Sequence, residues 1–200
     1  MIVNPLKGIA YRLVLEKFQN VPISGNAALR YGFRYNPPPG SIQIITGQEQ
    51  RLNSFKAEYL SDSEQTARNE VSQDTSGSTR ILFEVEFSFS SLLDLTDHNV
   101  VADLVKELNP NNDPQEFQSS DLNCDWVKIN AATNNLAPTQ LLGYILHNTY
   151  AIEALKVPSV RNQKGYNIVV FIDNLQIGSY LIAKNGNTDV QRIDGSLKVK

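Results

Sequence analysis

The 200-residue sequence predicts a single α+β domain, and three stretches carry that reading. RILFEVEFSF at 80–89 alternates strictly: Ile81, Phe83, Val85, Phe87 and Phe89 share one face, as in a half-buried strand. YNIVVFID at 166–173 is a continuous apolar, β-branched run, the pattern of a strand buried on both sides. PTQLLGYILHNTYAIEAL at 138–155 reads as a helix. Pro138 suits its first turn, and Leu141, Ile145 and Leu146 make an apolar face edged by Leu142 and Thr149.

The remaining elements follow in order. Residues 8–18 predict a first strand, with Ala10, Arg12 and Val14 on one face and Tyr11, Leu13 and Leu15 on the other. Residues 21–32 read as a loop entering a short turn or helix, and the prolines at 37–39 stop regular structure. A short strand at 41–45 precedes a polar loop at 46–56. AEYL, 57–60, is a strand that leads into a helix. Ser61 and Glu64 have capping-box spacing there, and Ala67 and Val71 turn toward the core. Residues 90–97 read as an exit turn, 98–108 as an amphipathic helix, 109–121 as a long loop and 124–129 as a short strand or edge. A sharp break at 156–165 precedes the 166–173 strand, and the tail from 174 holds one more strand, GSYLIA, before a polar end. No internal repeat or low-complexity linker divides the chain.

Composition narrows the function classes. The net charge of -3, without a basic stripe, argues against nucleic acid as the main partner. The lone Cys124 cannot form an intramolecular disulfide, and no leader-like segment opens the sequence, so a cytoplasmic protein is expected. No apolar run approaches the roughly 20 residues that span a bilayer. His98, His147 and Cys124 lack metal-ligand spacing, so no metal site is expected. The nucleophile elbow G-x-S-x-G, the phosphate loop G-x-x-x-x-G-K-[ST] and G-x-G-x-x-G are all absent.

RYGFRYNPPPG, at 30–40, is the unusual stretch. Arg34 lies between Phe33 and Tyr35, beside a stiff proline turn. A guanidinium offers a planar fork of donors that fits a phosphate or carboxylate, and the rings beside it can stack on a flat heterocycle. A surface cation–π cluster is the alternative reading.

Taken with four other segments, this stretch resembles the RES domain family. The segments are YRL near the start, SGNAALRYGFRYNPPPG, YLSDSEQTARNEV, PTQLLG and VPSVRNQKGYNIVVF, in that order. The resemblance runs from about Tyr11 to Asp173 and leaves 174–200 as an extension of unassigned role within one domain of residues 1–200. The sequence departs from the family pattern at Phe33 and Tyr35, where the family has glycine and tryptophan, and residues 41–58 are longer than the usual link.

The resemblance implies a split, mostly β core with flanking helices, like that of ADP-ribosyltransferase toxins. It implies a toxin that consumes NAD by hydrolysis or phosphorolysis, with NAD as substrate and no cofactor. A cognate Xre-like antitoxin would cover the site. Carried onto this sequence, Glu70 is the catalytic carboxylate, with Arg34 on the pyrophosphate and Tyr59 as a stacking wall. Arg12, Ser159 and Tyr35 complete the substrate contacts. Read without the resemblance, Glu70 is a solvated helix residue, Tyr59 a core aromatic and Ser159 a turn residue after Pro158. Transfer of ADP-ribose to a protein, or a binding protein without turnover, are the alternative functions.

Overall fold

The computed structural model describes residues 3–45, 48–71, 77–111, 113, 117–124, 127–129 and 136–196. They fall into two compact units. Unit 1 lies within Gly25–Ala57 and Asp97–Ala151; unit 2 lies within Ile2–Ser24, Glu58–Thr96 and Ile152–Lys200.

Unit 2 is organised by two long strands. β1 (Asn4–Leu15) runs antiparallel to β5 (Arg80–Asp94), from Leu6 opposite Phe89 to Leu15 opposite Arg80. The other strands are β4 (Ala57–Ser61), β6 (Ala154–Pro158), β7 (Tyr166–Phe171), β8 (Tyr180–Asn185) and β9 (Thr188–Asp194). The sheet order is β1-β4-β7-β6-β5-β8-β9, and because β1 also pairs β5, the first five strands close into a ring. β5 can serve three partners because it is long. Glu84–Ser88 pair β8 antiparallel, while Leu92–Asp94 pair β6 in parallel. Its odd-numbered residues Phe83, Val85, Phe87 and Phe89 are buried, as the alternation predicts. They pack with Ala10 and Val14 of β1, Leu60 of β4, Ile168 and Val170 of β7, and Leu181 and Ala183 of β8. Burial of each such side chain contributes about 1.5–3 kcal/mol.

Several boundaries differ from the sequence reading. Residues 90–94, read as a turn, continue β5: the serine pair looks turn-like, yet Leu92 and Leu93 are buried. The predicted helix over 138–155 stops at Asn148, and β6 follows. Ala154 and Leu155 suit a helical face or a buried strand equally, and pairing with both β5 and β7 decides the matter. Ala151, at φ 51, makes the turn between them. β9 is a polar edge strand whose charges hide it from a hydrophobic pattern. β8 and β9 give the tail a place in the sheet. The helix after β4, α2 (Glu64–Glu70), is capped by Ser63, which accepts from the Thr66 N–H; Ser61 belongs to the strand instead.

Unit 1 holds α1 (Asn26–Tyr31), the hairpin β2 (Ile42–Ile45) and β3 (Gln48–Arg51), α3 (His98–Leu108) and α4 (Pro138–Asn148). The hairpin lies partly in the segment read as a loop. Asp97 caps α3 by accepting from the Asn99 N–H, and Val100, Val101 and Leu104 form its buried face. The buried face of α4 is centred on Leu142 and Leu146, with Leu141 and Ile145 only half-buried. Residues 127–129 are helical, where a strand or edge was expected. Among the described residues, no helix is long and apolar enough to cross a membrane.

Candidate active site

In unit 2 the end of α2 meets the loop after β6 and the start of β7, and Glu70 is where they meet. The Ser159 hydroxyl donates to Glu70 Oε1 at 2.7 Å, and Asn167 Nδ2 donates to the same oxygen at 2.7 Å. Among the described residues, no salt bridge reaches Glu70, and Oε2 has no hydrogen-bond partner. The carboxylate is half-buried and sits at the C-terminal end of its helix, the end where a negative charge is disfavoured. Neutral donors, not a cation, hold it in place.

The loop that carries Ser159 is itself tied down. Ser159 Oγ accepts from the N–H groups of Arg161 and Asn162, at 3.2 and 3.0 Å. Asn162 Nδ2 donates to Thr66 Oγ1 at 2.8 Å, which ties the loop to α2. The loop closes where the Ser159 N–H reaches the Gly165 carbonyl at 3.1 Å. A β-carbon at Gly165 would lie 2.4 Å from Thr66 Oγ1 and 2.9 Å from Asn162 Nδ2, so only glycine admits this closure.

Tyr59 and Arg12 lie in the same unit. Tyr59 is half-buried on β4, between buried Glu58 and Leu60. Arg12 Nη1 donates to the Tyr59 carbonyl at 2.9 Å, and Nη2 pairs with Glu58 at 2.7 Å. Its charge is thus already matched by a buried carboxylate.

Arg34 and Tyr35 belong to unit 1. Phe33 and Asn36 exchange backbone hydrogen bonds at 2.9 and 3.1 Å, so Arg34 and Tyr35 occupy the middle of a tight turn. The turn is held from three sides. Asn36 Nδ2 donates to the Phe55 carbonyl, Gln140 Nε2 donates to the Phe33 carbonyl, and α4 lies so close that a β-carbon at Gly143 would fall 2.0 Å from the Tyr35 oxygen. The Arg34 guanidinium is buried and donates through Nη2 to the Leu122 carbonyl. It lies 5.4 Å from the centre of the Tyr35 ring. Tyr35 is fully buried; burial pushes its phenol up to about 12, with Arg34 pulling down and Cys124 adding to the rise. It stays neutral at any physiological pH.

Glu70 and Ser159 are therefore in direct hydrogen-bond contact, Arg12 and Tyr59 share a link on β4, and Arg34 and Tyr35 share a turn in the other unit. Two residues of the Glu70 cluster escaped the sequence reading. Asn167 was hidden inside a run read as wholly apolar; a lone amide in a β-branched strand was the available signal. Ser61 was read as a helix cap, but its hydroxyl donates to Asn167 Oδ1 at 2.9 Å.

Comparison with known proteins agrees on fold. The family model described as "RES domain" matches residues 9–182, a span that runs through both units. The crystal structure of the M. tuberculosis MbcT–MbcA toxin–antitoxin complex contains a similar chain, at 18% identity and a TM-score of 0.50, covering 84% of this chain and 75% of that one. No curated protein matches. The α+β class and split β core expected from the sequence are those of the structure.

Proposed function

The chain belongs to the RES domain family, and from that premise we propose that it is a toxin that cleaves the nicotinamide–ribose bond of NAD. The observation that carries this reading is the Glu70 carboxylate, fixed through Oε1 by two neutral donors while Oε2 is left for substrate.

The chemistry suits one carboxylate. The nicotinamide nitrogen of NAD is already cationic, so the ring leaves with the bond's electron pair as a neutral base and needs no acid. Positive charge then builds on the ribose, as in glycoside cleavage. Glu70 stabilises that charge and orients the nucleophile at the anomeric carbon. With water as nucleophile, a new C–O bond replaces the C–N bond and the released proton passes to Glu70 and on to solvent. Inorganic phosphate gives ADP-ribose 1-phosphate instead.

Arg34 binds the pyrophosphate, and its turn fixes the fork of donors before substrate arrives. Tyr35 supports that guanidinium from beneath instead of meeting the substrate, given its complete burial. Tyr59 stacks on the nicotinamide or ribose. Arg12, neutralised by Glu58, fixes the strand that carries Tyr59 more than it serves as a second phosphate clamp. Such an enzyme must be restrained in its own cell. The family and the toxin–antitoxin setting of the similar structure support a cognate antitoxin, expected to be Xre-like and to bind over the site.

Incubation of purified protein with NAD, with products identified by mass spectrometry, tests the reading. Free nicotinamide with ADP-ribose or its 1-phosphate is the expected result. Glu70→Ala should abolish turnover, and Arg34→Ala should raise KM while leaving residual kcat. Intact NAD with the unaltered chain, under both water and phosphate conditions, would reject it.

A further inference from the structure

Asn167 sits in β7 opposite Val157 of β6, and β7 lies between β4 and β6 in the sheet. An amide there is costly for a strand and needs a reason. The direction of its hydrogen bonds supplies one. An ionised carboxylate only accepts, so the amide must present Nδ2 to Glu70, at 2.7 Å. Its Oδ1 then faces Ser61, whose hydroxyl must donate, at 2.9 Å. The other arm is equally one-directional. Ser159 Oγ accepts two backbone N–H groups, so its single proton goes to Glu70. An amide with its oxygen toward Glu70 would repel the carboxylate, so Glu70 rules that orientation out and the Ser61 hydroxyl, which can donate or accept, holds the one that remains.

We propose that Asn167 is a positioning residue for the Glu70 carboxylate and that Ser61 anchors the Asn167 amide through its Oδ1. The inference rests on the reading of Glu70 as the reactive carboxylate. Two donors on Oε1 hold the rotation of the carboxyl group and present Oε2 in one direction. Loss of either lets the group turn, which lowers the rate of the chemical step more than it weakens substrate binding.

The test uses the full chain with Asn167→Ala, Asn167→Asp, Ser61→Ala and the Asn167→Ala/Ser61→Ala pair. Two readouts are taken: NAD turnover, and the orientation of the Glu70 carboxyl in crystal structures of the variants without NAD. Asn167→Ala should lower kcat about 10–100-fold with KM within about twofold. Ser61→Ala should lower kcat only a few-fold and add nothing in the Asn167→Ala background. In Asn167→Ala the Glu70 carboxyl should turn from its present orientation, because one of the two donors on Oε1 is gone. Asn167→Asp keeps the shape but faces Glu70 with a second carboxylate. Its turnover should recover as pH falls and the pair takes up one shared proton, a recovery absent from Asn167→Ala. The other ionisable side chains on the surrounding elements are Lys7, Tyr11 and Arg12 of β1, Glu58 and Tyr59 of β4, Asp62, Glu64 and Arg68 at α2, Lys156 of β6, Arg161 and Lys164 of the loop, and Tyr166 of β7, and they are common to every variant. Wild-type kcat in Asn167→Ala, or a Glu70 carboxyl that keeps its orientation there, would overturn the proposal. A carboxyl that turns in a protein without NAD turnover would uphold the positioning role and overturn the NAD reading instead.

Discussion

Among the described residues of unit 2, Glu70 and Glu153 are each held by two or more neutral donors and reached by no salt bridge, and they are held differently. Glu153 is fully buried. Its Oε2 accepts from the N–H groups of Ser90 and Ser91, at 2.6 and 2.7 Å, and its Oε1 accepts from the Gln176 N–H at 2.6 Å. Both oxygens are saturated, and the partners are backbone groups of β5 and of the segment before β8. Glu70 is half-buried, and only one of its oxygens is held. Its partners are side chains. A carboxylate that ties down backbone on both oxygens is a staple; one fixed through a single oxygen by side chains keeps its second oxygen for another partner, as the proposed role of Glu70 requires.

The largest stability effect should come from the staple. Glu153→Ala leaves the backbone N–H groups of Ser91 and Gln176 without an acceptor and the Ser90 N–H with Ser179 Oγ alone, at about 1–3 kcal/mol for each group left unsatisfied before relaxation. A net loss of about 3–5 kcal/mol is expected, read from the denaturant midpoint at unchanged m-value. A loss below about 1 kcal/mol would show that water replaces the carboxylate and that Glu153 is no staple.

A smaller effect is expected at the head of α2. Ser63→Ala removes the acceptor of the Thr66 N–H and should cost about 1 kcal/mol by the same measurement. No loss would mean that the helix carrying Glu70 depends on Thr66 and Asn162 for its seat rather than on its cap.

The smallest concerns a third, surface-type carboxylate. Burial pushes the Asp94 carboxyl up, but the Lys156 ammonium and the Thr96 hydroxyl and N–H outweigh it, so the group is held below its ordinary value. A depressed carboxylate contributes stability above its unfolded value, near 3.9, and that contribution fades as pH falls through the folded one. Lys156→Met should therefore lower stability by a few tenths of a kcal/mol at neutral pH and leave it unchanged in strong acid. An equal loss at both ends of the range would assign the effect to packing against the Tyr166 ring, 4.7 Å from Lys156 Nζ.

Local pattern exposed much of the fold. The alternation in β5, the apolar run of β7 and the period of α3 were legible because each buries one consistent face. β6 and β9 were not. β6 is short and apolar beside a helix, and β9 is polar on both faces, so pairing partners far along the chain define them. The same limit applies to the site. Glu70, Ser159, Arg34 and Tyr59 emerged from motif order, which follows the chain. Asn167 meets Glu70 and Ser61 across 97 and 106 residues of sequence separation, and no local pattern carries that. Glu153 was invisible for the same reason.

The most direct test of the contrast is the isosteric pair, Glu70→Gln and Glu153→Gln, measured for NAD turnover and thermal stability together. An amide at Glu70 can still accept from Ser159 and Asn167, so folding should be spared while kcat falls by about a thousandfold or more. An amide at Glu153 should lower the melting temperature by several degrees and leave turnover of the folded protein near wild type. Wild-type turnover in Glu70→Gln would contradict the account at its centre.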